Sequence, residues 1–124
     1  IHKNHNEWYK THISSFDYSI YIFEDDKNNF VAMTSYEILI DTAKVNIYLS
    51  KDYRNKKYSQ EILLESINKF LSENKNIKYL QAYILEENIA SKKIFENIGF
   101  KYDEKKEICN DGLEYLVLKK DTIQ

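Results

Sequence analysis

The sequence predicts a single α/β domain: a mixed, mostly antiparallel central sheet with one parallel strand pair and flanking helices. Three observations carry this. Segments of period two give way at Tyr58 to a helical stripe and then return to strands. The strand–helix–strand unit across residues 43–85 needs a crossover, so its two strands are parallel, right-handed by the general rule. Turn signals at "DDKNN" and Asn110-Asp111-Gly112 join other strands as hairpins, which are antiparallel.

The opening stretch "NHNEWYKTHI" reads as a short helix with Trp8 and His12 on one face, four residues apart. "DYSIYIFED" alternates and is rich in β-branched and aromatic residues, which predicts a strand at about 18–24. "FVAMTSYEI" is its hairpin partner at about 30–38, and "AKVNIYLS" a third strand at about 43–50. Ile62, Leu63, Ile67, Phe70 and Leu71 then fall on one helical stripe that ends near "SENKN". "KYLQAYIL" is a strand at about 78–85. Ile89, Ile94, Phe95 and Ile98 mark a second helix, closed by Gly99 as a left-handed cap. "FKYDEKKEICN" and "LEYLVLKK" form the last hairpin around Asn110-Asp111-Gly112.

Composition narrows the function classes. The 124 residues suit one domain, and 43% hydrophobic content makes it globular. Eighteen basic residues against twenty acidic give a net charge of −2, so no broad basic field points to nucleic acid or an acidic membrane. The lysine pairs at 56–57, 92–93, 105–106 and 119–120 have acidic neighbours and read as solvated faces. No apolar run approaches the roughly 20 residues that span a bilayer. A lone Cys109 excludes an internal disulfide and fits a reducing, cytoplasmic setting; it reads as a small hydrophobe rather than a nucleophile. No metal site is expected. The chain starts at Ile1, and we expect a domain of a longer protein with a fused upstream neighbour.

Two stretches carry chemistry. In "YLSKDYRNKKYSQEILL" a strand, a basic turn and a helix follow in that order. Free N–H groups and the helix dipole make such a helix start an anion site, with Arg54, Lys56 and Lys57 beside it. The plain alternative is an exposed lysine-rich loop. In "ILEENIASKKIFENIGF" a strand ends, Asn88 follows, and a short helix runs to Gly99-Phe100.

Together these stretches resemble the GNAT superfamily of acyl-CoA N-acyltransferases. The turn is similar to the family's Q/R-x-x-G-x-G/A pattern at Arg54, Lys57 and Ser59. The later stretch is similar to its E-N-x-x-A/S-x-x-x-Y/F-E-x-x-G-F pattern at Glu87, Asn88, Ser91, Phe95, Glu96, Gly99 and Phe100. The resemblance covers about residues 5–120 and implies a GNAT fold whose first strand and helix lie upstream. It implies acetyl-CoA as cosubstrate, held in a splay between the strands at 43–50 and 78–85. The pantetheine arm would pair with backbone near Tyr48, Leu49 and Ser50. The pyrophosphate would meet the turn of Arg54, Asn55, Lys56, Lys57, Tyr58 and Ser59. Asn88, Ser91 and Phe95 would flank the arm from the other side. The opening "HNEWY" resembles enzymes that acetylate a nucleotide-linked amino sugar for surface glycans, with His5, Trp8, Tyr9 and His12 near the acceptor.

The sequence departs from the family in three places. Lys57 stands at the family's glycine, where a left-handed conformation costs roughly 1–2 kcal/mol. Phe95 stands where many members carry a tyrosine that protonates the departing thiolate. Tyr83 also occupies about the place of a common glutamate. The candidate bases are therefore Tyr83, Glu37 and His12. Two functions follow: N-acetyl transfer to a primary amine, or a binding or assembly module that has kept the fold and lost the chemistry.

Overall fold

The computed structural model describes residues 11–14, 17–54 and 58–122. Seven strands form one sheet: β1 (Thr11–Ser14), β2 (Tyr18–Glu24), β3 (Phe30–Leu39), β4 (Thr42–Leu49), β5 (Tyr79–Leu85), β6 (Lys101–Ile108) and β7 (Glu114–Asp121). Helix α1 (Tyr58–Glu73) joins β4 to β5, and α2 (Ile89–Asn97) follows β5. The sheet order is β1-β2-β3-β4-β5-β7-β6. Only β4 and β5 are parallel among the described strands, as the α1 crossover demands.

The two helices share one face of the sheet. Ser66 of α1 hydrogen-bonds Thr34 and Tyr36 of β3, and Asn97 of α2 reaches Gln60 of α1 at 3.3 Å. Ile62, Leu63, Ile67 and Phe70 are the buried stripe of α1, and Phe70 stacks on Tyr36 with centroids 4.1 Å apart. Burying each such aliphatic side chain contributes about 1.5–3 kcal/mol. Burial also pushes the Tyr36 phenol far above its ordinary range, so it stays a neutral hydroxyl inside the core.

The second helix ends as its sequence demands. Gly99 takes φ +106°, the Gly99 N–H donates to Glu96, and the Phe100 N–H donates to Phe95. Phe95 and Phe100 then meet edge to face at 5.0 Å, the apolar contact that accompanies this double cap. At the last hairpin, Gly112 (φ +80°) closes a three-residue loop whose flanks pair through the Cys109 N–H and the Leu113 carbonyl.

One expectation fails. His12 lies in strand β1, opposite Tyr21 of β2, and not on a helix. Thr11 and Ile13 are β-branched, and a free edge on β2 rewards pairing more than local pattern rewards a helix turn. His5, Trp8 and Tyr9 lie outside the described residues. Among the described residues no helix is long and apolar enough to cross a membrane.

Candidate active site

The parallel pairing of β4 and β5 stops early. It runs from Thr42–Tyr79 to Val45–Ala82 and no further. Beyond it β4 stays paired to β3 as far as Leu49, and β5 stays paired to β7 as far as Leu85. Each strand keeps its outer partner and loses its inner one, so a wedge opens between them.

The direction of each peptide decides which groups line the wedge. The Ser50 N–H donates to Val31 on β3 at 2.9 Å. In the same trans peptide the Leu49 carbonyl must point the other way, into the wedge. By the antiparallel alternation Ile47 also presents its backbone groups there, while Tyr48 turns its own toward β3. Of the expected set of Tyr48, Leu49 and Ser50, only Leu49 turns its backbone groups into the wedge, and Ile47 joins it. The Ser50 hydroxyl is buried without a hydrogen bond among the described residues.

Two cavities flank the wedge and share Ile47, Asn88 and Ser91 as walls. The larger, about 970 Å³, runs from Leu49 and Arg54 to the first turn of α1 at Ser59, Gln60 and Glu61. Its polar end meets the first turn of α1, the positive end of the helix dipole. Ser59, small and buried, lets the wall come close to this start. Arg54 follows a single 3-10 turn at Lys51–Tyr53; its Nε donates to the Leu49 carbonyl at 3.1 Å, and its guanidinium lies 5.5 Å from the Tyr48 ring. Tyr53 packs edge-on against Tyr58 and donates to Asp25 Oδ2 at 3.1 Å. Asn55, Lys56 and Lys57 lie outside the described residues.

The smaller cavity, about 560 Å³, lies toward β5, the start of α2 and the β6–β7 loop. Asn88 caps α2: its Oδ1 accepts the Ser91 N–H at 3.2 Å. Phe95 is buried and lines this cavity, with no proton to offer. Tyr83 lines it as well, with the Lys44 ammonium 4.1 Å from its ring centroid. Burial first, then the charge and hydrogen bond of Glu107, hold the Tyr83 phenol above its ordinary range. A phenol so shifted keeps its proton at neutral pH, which makes it a donor rather than a base. Glu37 pairs across strands with Lys44, is exposed, and adds to the field on Tyr83 from two strands away.

Lys44, Glu107, Asp111 and Tyr115 were not expected from sequence. The Tyr115 hydroxyl donates to Asp111 Oδ2 at 2.5 Å, and the Leu113 N–H to Oδ1 at 2.9 Å. These bonds, the phenol's first, hold the Asp111 carboxyl below its usual range. Cys109 is half-buried and lines the same cavity.

Known proteins share this architecture. A putative phosphinothricin acetyltransferase of Bacillus subtilis, YwnH, is 32% identical over 100 residues. That match takes in 76% of this chain and 59% of the relative, so the chain spans about three fifths of it. The crystal structure of a putative phosphinothricin N-acetyltransferase superposes with a TM-score of 0.75 at 27% identity, over 89% of this chain and 75% of that one. The spermidine/spermine N-acetyltransferase of Vibrio cholerae with manganese ions has a TM-score of 0.74 over 86% of this chain and 66% of that one; at 13% identity it shows the fold alone. The model of the family described as acetyltransferase (GNAT) domain matches residues 2–114. With nine-tenths of its length inside that match and the β4–β5 wedge in place, the chain belongs to the GNAT acetyltransferase family.

Proposed function

We propose that the chain transfers an acetyl group from acetyl-CoA to the primary amine of a small molecule. One observation carries this: a one-sided strand wedge with a cavity on each flank, the two meeting at Ile47, Asn88 and Ser91. The larger cavity suits the donor. Ile47 and Leu49 offer strand-like backbone pairing to amide groups of a pantetheine arm, and the α1 start with Arg54 offers N–H groups and charge to a pyrophosphate. The smaller cavity suits the acceptor.

Acetyl-CoA supplies a thioester, whose C–S bond breaks as the amine forms its N–C bond. The protein's contribution is orientation of the two reactants and hydrogen bonding from β4 backbone N–H to the carbonyl oxygen. Tyr83, kept protonated, is placed to give its proton to the departing thiolate, taking the role Phe95 cannot fill. The amine's own proton leaves through the acidic side of the cavity, where Asp111 stands.

The acceptor pocket carries both a cation, Lys44, and a carboxylate, Asp111, while Glu107 bonds the Tyr83 phenol that lines it. That mix suits an amine that also bears an acid group, in keeping with the phosphinothricin acetyltransferase named among the relatives. The nucleotide-linked amino sugar expected from "HNEWY" has no support in those relatives, and its residues lie outside the described ones.

Titration calorimetry with CoA tests the donor half, with a dissociation constant in the micromolar range expected. Thiol release from acetyl-CoA, followed across amino acids, polyamines and amino sugars, tests the acceptor half. A folded protein that ignores CoA at millimolar concentration is a binding module and not this enzyme.

A further inference from the structure

We propose that Arg54 competes with the pantetheine arm for the donor slot, and so makes the slot selective for thioesters that carry phosphate. This rests on the donor reading above. Leu49 turns its carbonyl into the wedge where β5 has ceased to pair. Arg54 Nε donates to this carbonyl at 3.1 Å, in an exposed bond that a ligand can replace. The guanidinium is held over the Tyr48 ring at 5.5 Å as well. Arg54 thus takes the place that an incoming amide N–H would take on the strand edge.

The same side chain lines the larger cavity together with Ser59, Gln60 and Glu61 of the first turn of α1. Arg54 sits just past the 3-10 turn in extended backbone, so side-chain rotation alone carries its charge from the strand edge toward that turn. Two ligands then fare differently. Pantetheine without phosphate must displace the guanidinium and gives it nothing in return. CoA displaces it and offers a pyrophosphate, which a planar guanidinium binds bidentately. Release from Leu49 and capture of phosphate become one exchange, and only a donor bearing both groups completes it. Among the described residues, Glu61 at the helix start and Lys93 across the cavity are the other charged groups lining this path.

The test is calorimetric titration of CoA and of pantetheine against the parent protein, Arg54→Ala and Arg54→Gln, with thermal melting to confirm folding. The parent is expected to bind CoA and to bind pantetheine barely. Arg54→Ala should bind pantetheine several-fold more tightly than the parent and CoA at least tenfold more weakly. Arg54→Gln keeps a donor for the Leu49 carbonyl without the charge, so it should lose CoA and gain less for pantetheine. Unchanged or weakened pantetheine binding in Arg54→Ala, with CoA still bound by the parent, overturns the competition and leaves Arg54 a plain phosphate ligand. A parent that binds no CoA overturns the donor reading itself, and this inference with it.

Discussion

The two strand-to-helix turns that flank the wedge are built by opposite means. Between β5 and α2 only three residues intervene, and the turn closes on itself. The Asn88 N–H donates to Leu85, and its side chain caps the helix three residues on. Between β4 and α1 the connection is longer and is held from outside. Tyr53 ties it to Asp25 in the β2–β3 loop, 28 residues away, and Arg54 ties it back to the strand it has just left. Asp25 is in turn fixed by its own loop, accepting the Lys27 and Asn29 N–H groups at 2.9 Å. A self-capped turn is rigid whatever binds beside it. A turn held by replaceable bonds can yield to a ligand, as the proposed donor reading asks of this one.

The largest expected effect tests whether α1 depends on its turn at all. Ile62 is fully buried one turn into the helix, while Leu64 is 40% exposed and lines the donor cavity. Ile62→Ala should cost about 2–5 kcal/mol in urea denaturation, and Leu64→Ala clearly less. Similar losses would mean that the helix start, and not the core, bears the packing.

Next is the closure of α2. Gly99 holds φ +106°, and an added Cβ would stand 2.9 Å from the Lys120 Nζ, the movable end of a long side chain. The strain is therefore chiefly in the backbone, and Gly99→Ala should cost about 1–2 kcal/mol. A loss under a few tenths would show that α2 tolerates another ending.

These two turns also show what was legible. Asn88 and Gly99 act within a few residues of themselves, so a cap and a stop could be read directly. The parallel pair followed from the crossover, and the helical stripe of α1 from its period. The bonds from Tyr53 to Asp25 and from Arg54 to the Leu49 carbonyl depend on how distant strands are brought together, and no local pattern announces them. Glu107 was hidden for the same reason. It stands in regular register opposite Tyr115, and it meets Tyr83 only because β7 pairs with β5, a long-range pairing that no local pattern announces. His12 misled because a four-residue spacing fits a helix and a short edge strand alike.

A smaller effect separates cap from ligand at Asn88. Both Asn88→Ala and Asn88→Asp remove the amide donor, but only Ala removes the capping oxygen. Melting should place Ala about 1 kcal/mol below the parent and Asp near it. If the amide also meets the acyl donor, both variants weaken CoA binding. Parental affinity in Asp, with a loss only in Ala, would make Asn88 a cap and nothing more.

The smallest effect concerns Tyr53, and it bears most directly on the contrast between the turns. Tyr53→Phe keeps the ring against Tyr58 and deletes only the hydrogen bond to Asp25. Because the phenol is partly exposed, water can replace that bond, so global stability should fall by no more than about 0.5–1 kcal/mol. The local consequence is sharper. The Tyr53 and Arg54 amides donate within the 3-10 turn to Ser50 and Lys51, and a loosened turn exposes them. Their hydrogen exchange should quicken several-fold while the Asn88 and Ser91 amides, across the wedge, keep the parental rate. CoA binding should weaken a few-fold, since part of its free energy would go into ordering the turn. Faster exchange at both turns would mean a general loosening of the domain. Unchanged exchange at Tyr53 and Arg54 would mean that Asp25 is a bystander, and that the first turn, like the second, holds itself.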